Sequence, residues 1–304
     1  TNALLCALRA AGIGKGDEVI TVSHTFISTT EVICNVGAVP VFVDIDDFYH
    51  MDILGIEHRI TDKTKAILFV DLYGQTPNIN AIKHIATKHN LMLIEDAAQS
   101  FGSSYKTKKV GSIADLTCFS FNPVKNLGAM GDAGAVTGSK SLIDKVRMYR
   151  DHGRPAKNLY STVGYNARID NMQAKIIQAK LPFLDEWNRK RRIVAHTYTS
   201  ELKNIVQTPK ENSDSYHIYY VYVIQTDGRN SLEEHLQNAG IQTNRHYPTP
   251  THMTPVFSKY ANKFLTNTEK ARERILSLPL YHSLSQNDQE YIIDKIKQWN
   301  RYSS

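Results

Sequence analysis

The hydrophobic positions in the first two-thirds of the chain form short apolar runs separated by longer amphipathic stretches. The run at 66–72 is continuous, as is typical of a strand buried on both faces of a parallel sheet. The same pattern predicts strands at 18–22, 39–45, 66–72, 91–94, 116–121 and 134–137, and helices at 3–11, 29–36 and 78–89. Alternating strands and helices pack as layers, so we predict an α/β fold in which helices cover both faces of a mostly parallel sheet.

The pattern changes after about residue 142. A mostly helical stretch extends to about residue 202 and contains a long helix at 184–198, followed by an aromatic and β-branched strand at 216–226. Two or three further helices follow, with a loop at 244–255 between them. We therefore predict a large α/β domain at 1–190 and a small C-terminal α+β domain at 191–304.

The composition is that of an ordinary globular protein, because 41% of the residues are hydrophobic and 22% are charged. The cysteines, Cys6, Cys34 and Cys118, are far apart and form no Cys-x-x-Cys motif. This spacing indicates reduced thiols in a cytoplasmic protein and no metal site. No apolar run has the length of a membrane span and no signal peptide is visible, so we expect no membrane association.

The net charge of +6 favours anionic partners, but its distribution argues against nucleic acid. The basic residues are scattered, and they are densest at 106–109 and 189–192, where they are typical of solvated faces. We expect no nucleic-acid partner. An anionic small-molecule substrate is compatible with this charge.

The first candidate for chemistry is Asp96, the second residue of an acid pair that follows the apolar strand predicted at 91–94. Open α/β sheets bind ligands at the carboxyl ends of their strands. A carboxylate at that edge can pair with a protonated ring nitrogen or with a metal. Taken alone, Asp96 is equally typical of a helix N-cap.

The second candidate is Lys125, a single lysine that follows a strand and a turn containing Pro123. Glycines at 128, 131 and 134 come next, and their density indicates a close backbone approach or a sharp reversal. Their spacing matches neither a phosphate-binding P-loop nor the dinucleotide-binding fingerprint. Taken alone, Lys125 is more typical of a surface lysine than of a nucleophile.

These two segments and several others, collinear over nearly the whole chain, resemble the DegT/DnrJ/EryC1/StrS family of pyridoxal-phosphate (PLP) dependent sugar aminotransferases. That family has fold type I and belongs to the aspartate aminotransferase superfamily. The matching segments are GIGKGDEVI (12–20), TF (25–26), GAVPVFVD (37–44), LYGQ (72–75), EDAAQ (95–99), FSF (119–121), KNLG (125–128) and GYNAR (164–168). The resemblance implies the fold-type-I fold for this chain and PLP as its cofactor.

The resemblance gives roles to the residues around the cofactor ring. Lys125 resembles the lysine that carries PLP as a Schiff base, and Asp96 resembles the aspartate that faces the pyridine nitrogen. Gln99 resembles a glutamine near the ring hydroxyl, and Phe26 stands where an aromatic side chain covers the ring face. Read alone, Gln99 is as typical of a turn and Phe26 of a core. A lysine that moves protons needs a lowered pKa, which we attribute to the cationic cofactor chemistry beside it.

A further set resembles the residues that hold the cofactor phosphate. Ser120 is among them, and Thr1 and Asn2 stand where the first helix begins and offers free N–H groups. Asn166 resembles an asparagine that reaches the phosphate of the neighbouring subunit, which implies a homodimer with a shared active site. Read alone, Ser120 is as typical of a turn and Asn166 of a loop cap.

The segment 245–252 resembles the family's His-Tyr-Pro-x-Pro-x-His loop and suggests His246 and Tyr247 as substrate-side residues. A rigid loop held by two prolines is the equally good alternative. Two features depart from the family pattern. The chain has NPVK at 122–125 where relatives often have Tyr-Pro-Thr-Lys, and the segment that normally precedes Thr1 is absent from this sequence.

The resemblance predicts an enzyme that moves an amino group from an amino acid, glutamate, to a keto sugar linked to a nucleotide. The product is an amino sugar for polysaccharide, lipopolysaccharide or a natural product. One alternative is a PLP-dependent sugar dehydratase, although those relatives replace the cofactor lysine with histidine. The other is a non-catalytic regulatory homologue, against which the intact set of cofactor residues argues.

Overall fold

The computed structural model describes residues 1–261 and 264–303. The helices are α1 (Asn2–Ala10), α2 (Ser28–Asn35), α3 (Ile53–Glu57), α4 (Ile79–Lys88), α5 (Lys140–Arg150), α6 (Asn171–Lys180), α7 (Leu184–Leu202), α8 (Arg229–Asn238), α9 (Thr266–Arg274) and α10 (Gln286–Ser303). The strands are β1 (Glu18–Val22), β2 (Val39–Val43), β3 (Thr64–Val70), β4 (Met92–Asp96), β5 (Ser104–Tyr105), β6 (Lys108–Lys109), β7 (Leu116–Ser120), β8 (Gly134–Gly138), β9 (Ser215–Tyr216), β10 (Tyr222–Gln225) and β11 (Ile275–Leu278). None of the helices described is both long and apolar enough to cross a membrane.

The central sheet has the strand order β2-β1-β3-β4-β7-β8, and β8 is antiparallel to its neighbour while the other strands are parallel. This arrangement confirms the predicted α/β fold with a mostly parallel sheet. β3 lies in the middle of the sheet, and its residues 66–70 are all buried, as expected for a strand that helices cover on both faces. The carboxyl ends of β3, β4 and β7 therefore meet at one edge of the sheet.

The helix α4 shows how the sequence directs the layers. Asn78 caps it, since its side chain accepts a hydrogen bond from the backbone N–H of Ala81 at 3.2 Å. The helix buries Ile79, Ile82 and Ile85, which the three-residue spacing places on one face. This face packs on the sheet and leaves the polar face to solvent.

The part of the chain after α7 forms a second core around the antiparallel pair β10 and β11. Its fully buried side chains come from α7, α8, β11 and α10 and include Tyr198, Leu232, Leu276 and Ile296. The predicted division at residue 190 falls inside α7, and it stays a prediction. Three later residues, Val223, Ala271 and Ile275, pack into the first core and join the two parts.

Two segments differ from the predicted elements. The stretch at 151–170 is an irregular loop with short backbone bridges rather than a continuation of α5. The strand predicted at 216–226 is interrupted at Tyr219, whose φ of +47° is incompatible with an extended strand. β9 therefore pairs with β5, whereas β10 pairs with β11.

Candidate active site

The candidate site lies where β4 and β7 end side by side. Asp96 is the last residue of β4 and is in register with Cys118 of β7, two residues before Ser120 ends that strand. Because the two strands are parallel, both side chains lie at the carboxyl edge of the sheet. The sequence predicts Asp96 just past the end of a strand, whereas in the structure Asp96 is the last residue of that strand.

Asp96 is buried, and its two oxygens have one partner each. Oδ2 accepts a hydrogen bond from the Thr29 hydroxyl at 2.8 Å, and Oδ1 accepts one from the backbone N–H of Ala98 at 3.2 Å. Thr29 is itself bonded to the Thr25 hydroxyl at 2.9 Å. A carboxylate can accept about four hydrogen bonds, so Asp96 retains acceptor capacity for a ligand.

Lys125 follows a tight turn that is fixed by its own backbone. Its N–H donates to the carbonyl of Asn122 at 2.9 Å, and Ala129 returns to Phe121 with a backbone bond of 2.8 Å. A Cβ at Gly128 would lie 2.5 Å from the Pro123 carbonyl oxygen, so only glycine allows this close approach. The glycine density in the sequence therefore indicated the turn correctly.

The amine of Lys125 forms no hydrogen bond or salt bridge with any residue that the structure describes. Nζ lies 4.4 Å from the centre of the Tyr220 ring. Burial lowers the pKa of the amine from 10.5 to about 8, and the negative charge of Asp96 opposes this shift. The sequence interpretation attributed the lowered pKa to cationic cofactor chemistry, whereas burial by the protein lowers it already.

Gln99 is buried and connects three parts of the site. Its Oε1 accepts a hydrogen bond from the backbone N–H of Tyr73 at 2.7 Å, and its Nε2 donates to the Tyr247 hydroxyl at 2.9 Å. The ring of Tyr247 lies 5.9 Å from that of Phe26, which is otherwise half-exposed. The predicted cofactor residues Gln99 and Phe26 thus meet the predicted substrate residue Tyr247.

A small, partly open cleft lies between these elements. Its lining residues are Ala98, Gln99, Phe101, Ser120, Lys125, Asn126, Leu127, Ile218 and Tyr220. Three of the residues predicted from the sequence, Gln99, Ser120 and Lys125, therefore line the same cleft. The last two lining residues come from the segment between β9 and β10.

The family model described as the DegT/DnrJ/EryC1/StrS aminotransferase family matches residues 1–297. The chain belongs to this family. It is 43% identical to the pleiotropic regulatory protein of Geobacillus stearothermophilus, over 99% of this chain and 83% of that protein. It is also 43% identical to the UDP-N-acetyl-3-dehydro-alpha-D-glucosamine 3-aminotransferase of Acidithiobacillus ferrooxidans, over 93% of this chain and 78% of that protein. The crystal structure of NtdA from Bacillus subtilis with bound cofactor PMP has a TM-score of 0.93 and 34% identity, covering 99% of this chain and 71% of that one.

In this aminotransferase, the residues predicted to hold the phosphate lie around the start of α1, which packs against β7 and β8. Thr1 precedes the helix and its hydroxyl is 2.6 Å from that of Ser28, so it does not cap the helix with its side chain. The hydroxyl of Ser120 accepts a weak bond of 3.4 Å from the N–H of Asn122. The first backbone bond of the helix runs from Leu5 to Thr1, which leaves the N–H groups of its first turn, including that of Asn2, without helical partners.

Asn166 is exposed and does not line the cleft of its own chain. Its backbone bridges to Asp151, and its side-chain oxygen accepts a hydrogen bond from Arg168 at 3.1 Å. Two glycines shape this loop, since a Cβ on Gly153 would collide with Thr162 and one on Gly164 would collide with Gly153 itself. The loop therefore presents Asn166 on the surface.

His246 lies close enough to Lys125 for the positive charge of the lysine, together with burial, to lower the pKa of the imidazole. Its Nδ1 is 2.8 Å from the Ser277 hydroxyl. Its carbonyl accepts a short hydrogen bond from the hydroxyl of Tyr73. The roles of His246 and Tyr247 towards a substrate stay predictions.

Sequence reasoning missed Thr29 and Tyr220. Both reach the site from distant parts of the chain, so no local pattern points to them. It also passed over Asp71, which follows β3 and lies with Glu95 of β4 in the interior. Asp71 Oδ1 and Glu95 Oε1 have no other hydrogen-bond partner among the described residues, and the two carboxyl groups lie close enough to share a proton. Burial raises the pKa of both, and the charge of Glu95 raises that of Asp71 further.

Proposed function

We propose that the protein is a pyridoxal-phosphate-dependent aminotransferase that moves an amino group from an amino acid, glutamate, to a keto sugar linked to a nucleotide. The observation that carries this proposal is the amine of Lys125 in the cleft, which forms no hydrogen bond or salt bridge with a residue that the structure describes. A lysine whose pKa is about 8 is a far better nucleophile near neutral pH than an ordinary surface lysine.

The side chains around the cleft fit the polar groups of pyridoxal phosphate. Asp96 has acceptor capacity for a protonated ring nitrogen, and Gln99 keeps one amide N–H for the ring hydroxyl. The free N–H groups at the start of α1, with Ser120 and Thr1, suit the phosphate. Phe26, packed on Tyr247, is placed to cover a ring.

When bound, pyridoxal phosphate supplies an electron sink that weakens a C–H bond of the amino acid. Asp96 would keep the pyridine nitrogen protonated. Lys125 would hold the cofactor covalently at rest, and its freed Nζ would then carry a proton between the substrate carbon and the cofactor carbon. A pKa of about 8 allows the amine both to accept and to return that proton.

The substrate proposal is supported by the relatives and, more weakly, by charge. The Acidithiobacillus relative is named for a reaction on a UDP-linked 3-keto sugar. The net charge of +6 favours an anionic nucleotide sugar. We place His246 and Tyr247 on the substrate side of the cleft and propose that the amino sugar serves polysaccharide, lipopolysaccharide or natural-product synthesis in the cytoplasm.

The test is to incubate the purified protein with pyridoxal phosphate, glutamate and a panel of UDP- and dTDP-linked keto sugars, and to follow the products by mass spectrometry. We expect one sugar to gain an amine while glutamate becomes 2-oxoglutarate. The Lys125→Ala variant should show no gain and should lose the absorbance band of the lysine-bound cofactor. Absence of amine gain with every sugar, in a protein that binds the cofactor, would overturn the substrate class.

A regulatory role is the second candidate, because one relative at 43% identity is named a pleiotropic regulatory protein. The buried amine of Lys125, whose pKa is lowered, favours catalysis, since a binding protein does not require a nucleophilic amine. A sugar dehydratase is less well supported, because the chain keeps lysine at position 125. Glutamate-dependent conversion of the sugar distinguishes the transferase from both.

We further propose that the enzyme is a homodimer whose two chains share each active site. The support is Asn166, which is exposed and does not line its own cleft, together with exposed apolar side chains in the neighbouring stretch of the chain. No residue of α6 is buried, and the exposed large hydrophobic side chains between positions 159 and 183 are Leu159, Tyr160, Val163, Ile169, Met172, Leu181 and Phe183. Exposed apolar side chains grouped in one stretch of chain favour an interaction site, and light scattering should give twice the mass of the chain.

A further inference from the structure

The amine of Lys125 in the cleft faces an aromatic ring that no matching motif contains. Nζ of Lys125 lies 4.4 Å from the centre of the Tyr220 ring, within the range of a cation–π interaction. No described hydroxyl, carbonyl or carboxylate oxygen forms a hydrogen bond or salt bridge with this amine. The ring face is therefore the direct contact for the ammonium form.

The segment that carries Tyr220 is fixed by backbone hydrogen bonds from two sides. The N–H of Tyr220 donates to the carbonyl of Tyr73 at 2.8 Å, and that of Ile218 donates to Gly74 at 2.9 Å. The buried guanidinium of Arg191 donates to the carbonyls of Tyr219 and Tyr220 at 3.2 and 3.3 Å. A ring carried by so fixed a backbone is held in place before any ligand arrives.

The charged and titratable groups that influence the amine lie on other elements. Asp96, at the end of β4, attracts the ammonium, whereas burial disfavours it. His246 is kept neutral, because burial and Lys125 itself lower its pKa. The pKa of Tyr247 is raised by burial, so its phenol is neutral as well. Asp96 and the face of Tyr220 are thus the two features that stabilise the positive charge.

We propose that Tyr220 is a positioning residue, whose ring face holds the ammonium form of Lys125 when that side chain is not covalently bound. The ring keeps the protonated Nζ inside the cleft until it gives up its proton. The catalytic use of this contact rests on the proposed function, whereas the contact itself is independent of it. A ring face offers the ammonium no acceptor oxygen, so no hydrogen bond to the protein has to break when Nζ releases its proton.

The test measures the pKa of Lys125 in the full chain freed of cofactor. Trace labelling with acetic anhydride over a range of pH, with the Lys125 peptide quantified by mass spectrometry, gives this value directly. Tyr220→Leu removes the ring face and should lower the pKa of Lys125 by roughly half to one unit, because the ammonium loses its partner. Tyr220→Phe keeps the face and should leave the pKa unchanged.

The matched control is Tyr216→Leu, which removes a ring that faces a different cation, Arg192, at 4.6 Å in the same part of the chain. It should leave the pKa of Lys125 unchanged. An unchanged or raised pKa in Tyr220→Leu overturns the proposal. An equal fall in Tyr220→Phe also overturns it, since the hydroxyl and not the face would then be responsible.

Should Tyr220→Leu fail to fold, stepwise fluorination of a phenylalanine at position 220 weakens the negative face at nearly constant shape. The pKa of Lys125 should then fall with each added fluorine, and a flat series overturns the proposal. The measurement needs neither cofactor nor sugar. Failure of the amine-transfer assay with a normal labelling result would therefore contradict the proposed function and leave the positioning role intact.

Discussion

At the scale of single residues, the proposed chemistry of the site depends on the protonation of one amine, that of Lys125. Burial lowers the pKa of Lys125 to about 8, and the carboxylate of Asp96 limits this fall. The amine is therefore divided between its two protonation states near the pH at which enzymes work. An amine whose pKa is close to the pH accepts and releases a proton with similar changes in free energy.

The Asp96→Asn variant tests this balance. Loss of the carboxylate should lower the pKa of Lys125 below about 8, because the ammonium loses an attractive charge. Amine transfer should fall by about 100-fold or more, since the asparagine cannot keep a pyridine nitrogen protonated. Trace labelling gives the pKa, and single-turnover kinetics give the rate. Asp144→Asn, which removes an exposed acid on α5, is the control, and a raised pKa of Lys125 in Asp96→Asn would contradict the electrostatic account.

The sequence pattern places Asp96 and Lys125 near the carboxyl ends of apolar strands, at the binding edge of a sheet. Their roles towards the cofactor came from the family resemblance and stay predictions. Thr29 could not be predicted, since it stands 67 positions before Asp96 and its helix carries another threonine and a serine. Tyr220 lies in an aromatic stretch that the pattern assigned to a strand. Long-range contacts of this kind depend on tertiary packing, which local periodicity does not record.

At the scale of elements, the strands β3 and β4 are joined by more than their backbone ladder. Asp71 follows β3 and is fully buried against Glu95 of β4. The Ser100 hydroxyl donates to Asp71 at 2.7 Å, and the Thr117 hydroxyl donates to Glu95 at 2.6 Å. A protonated Asp71 completes the set by donating to Glu95, so the pair retains one proton between two carboxyl groups.

The Asp71→Asn variant should change how stability depends on pH. A carboxyl group whose pKa is raised by folding stabilises the protein below its unfolded pKa of about 4, and this stability is lost as the pH rises through the folded value. The neutral amide in the variant does not titrate, so it loses no stability as the pH rises, and it can still donate a hydrogen bond to Glu95. We expect the variant to gain about 1–2 kcal/mol relative to the parent between pH 5 and 9. Urea unfolding across this range measures the gain, and a difference that does not vary with pH would refute a shared proton.

The long apolar runs of β3 and β4 predicted these strands well, because four or more buried positions give a clear signal. The two-residue strands β5, β6 and β9 gave none, since a period of two cannot be recognised in two residues. The loop at 151–170 was mistaken for helix because its polar residues resemble those of the flanking helices. The close backbone contacts of Gly153 and Gly164 decide that segment, and they are tertiary features.

At the scale of the whole molecule, the proposed dimer has a second copy complete each site. Asn166 does not line its own cleft, and no residue of the nearby helix α6 is buried. The sequence patterns predict a large α/β part followed by a small α+β part, and that division stays a prediction. The sequence did not reveal which apolar side chains of α6 and the preceding loop are exposed, because exposed and buried apolar residues look alike in a sequence.

Mixing two defective variants tests the shared site. Lys125→Ala and Asn166→Ala are each expected to be strongly impaired alone. After exchange of subunits in an equal mixture, roughly one site in four should be native, because half of the dimers pair an intact lysine with the partner's intact asparagine. Amine transfer by the mixture reports this recovery, and Lys125→Ala mixed with itself is the control. No recovery despite verified exchange would place Asn166 outside the site of the partner.

The two glycines that shape the Asn166 loop, Gly153 and Gly164, also limit where this loop can be joined in a chimera of two relatives. Each has no Cβ in the space that the other's segment fills, so an exchange of sequence between relatives whose breakpoint falls between positions 153 and 164 separates two segments that fit each other. Chimeras joined within that interval should therefore be recovered far less often than chimeras joined at either side of it. We expect functional chimeras to take the whole loop from one parent, and Asn166 together with it.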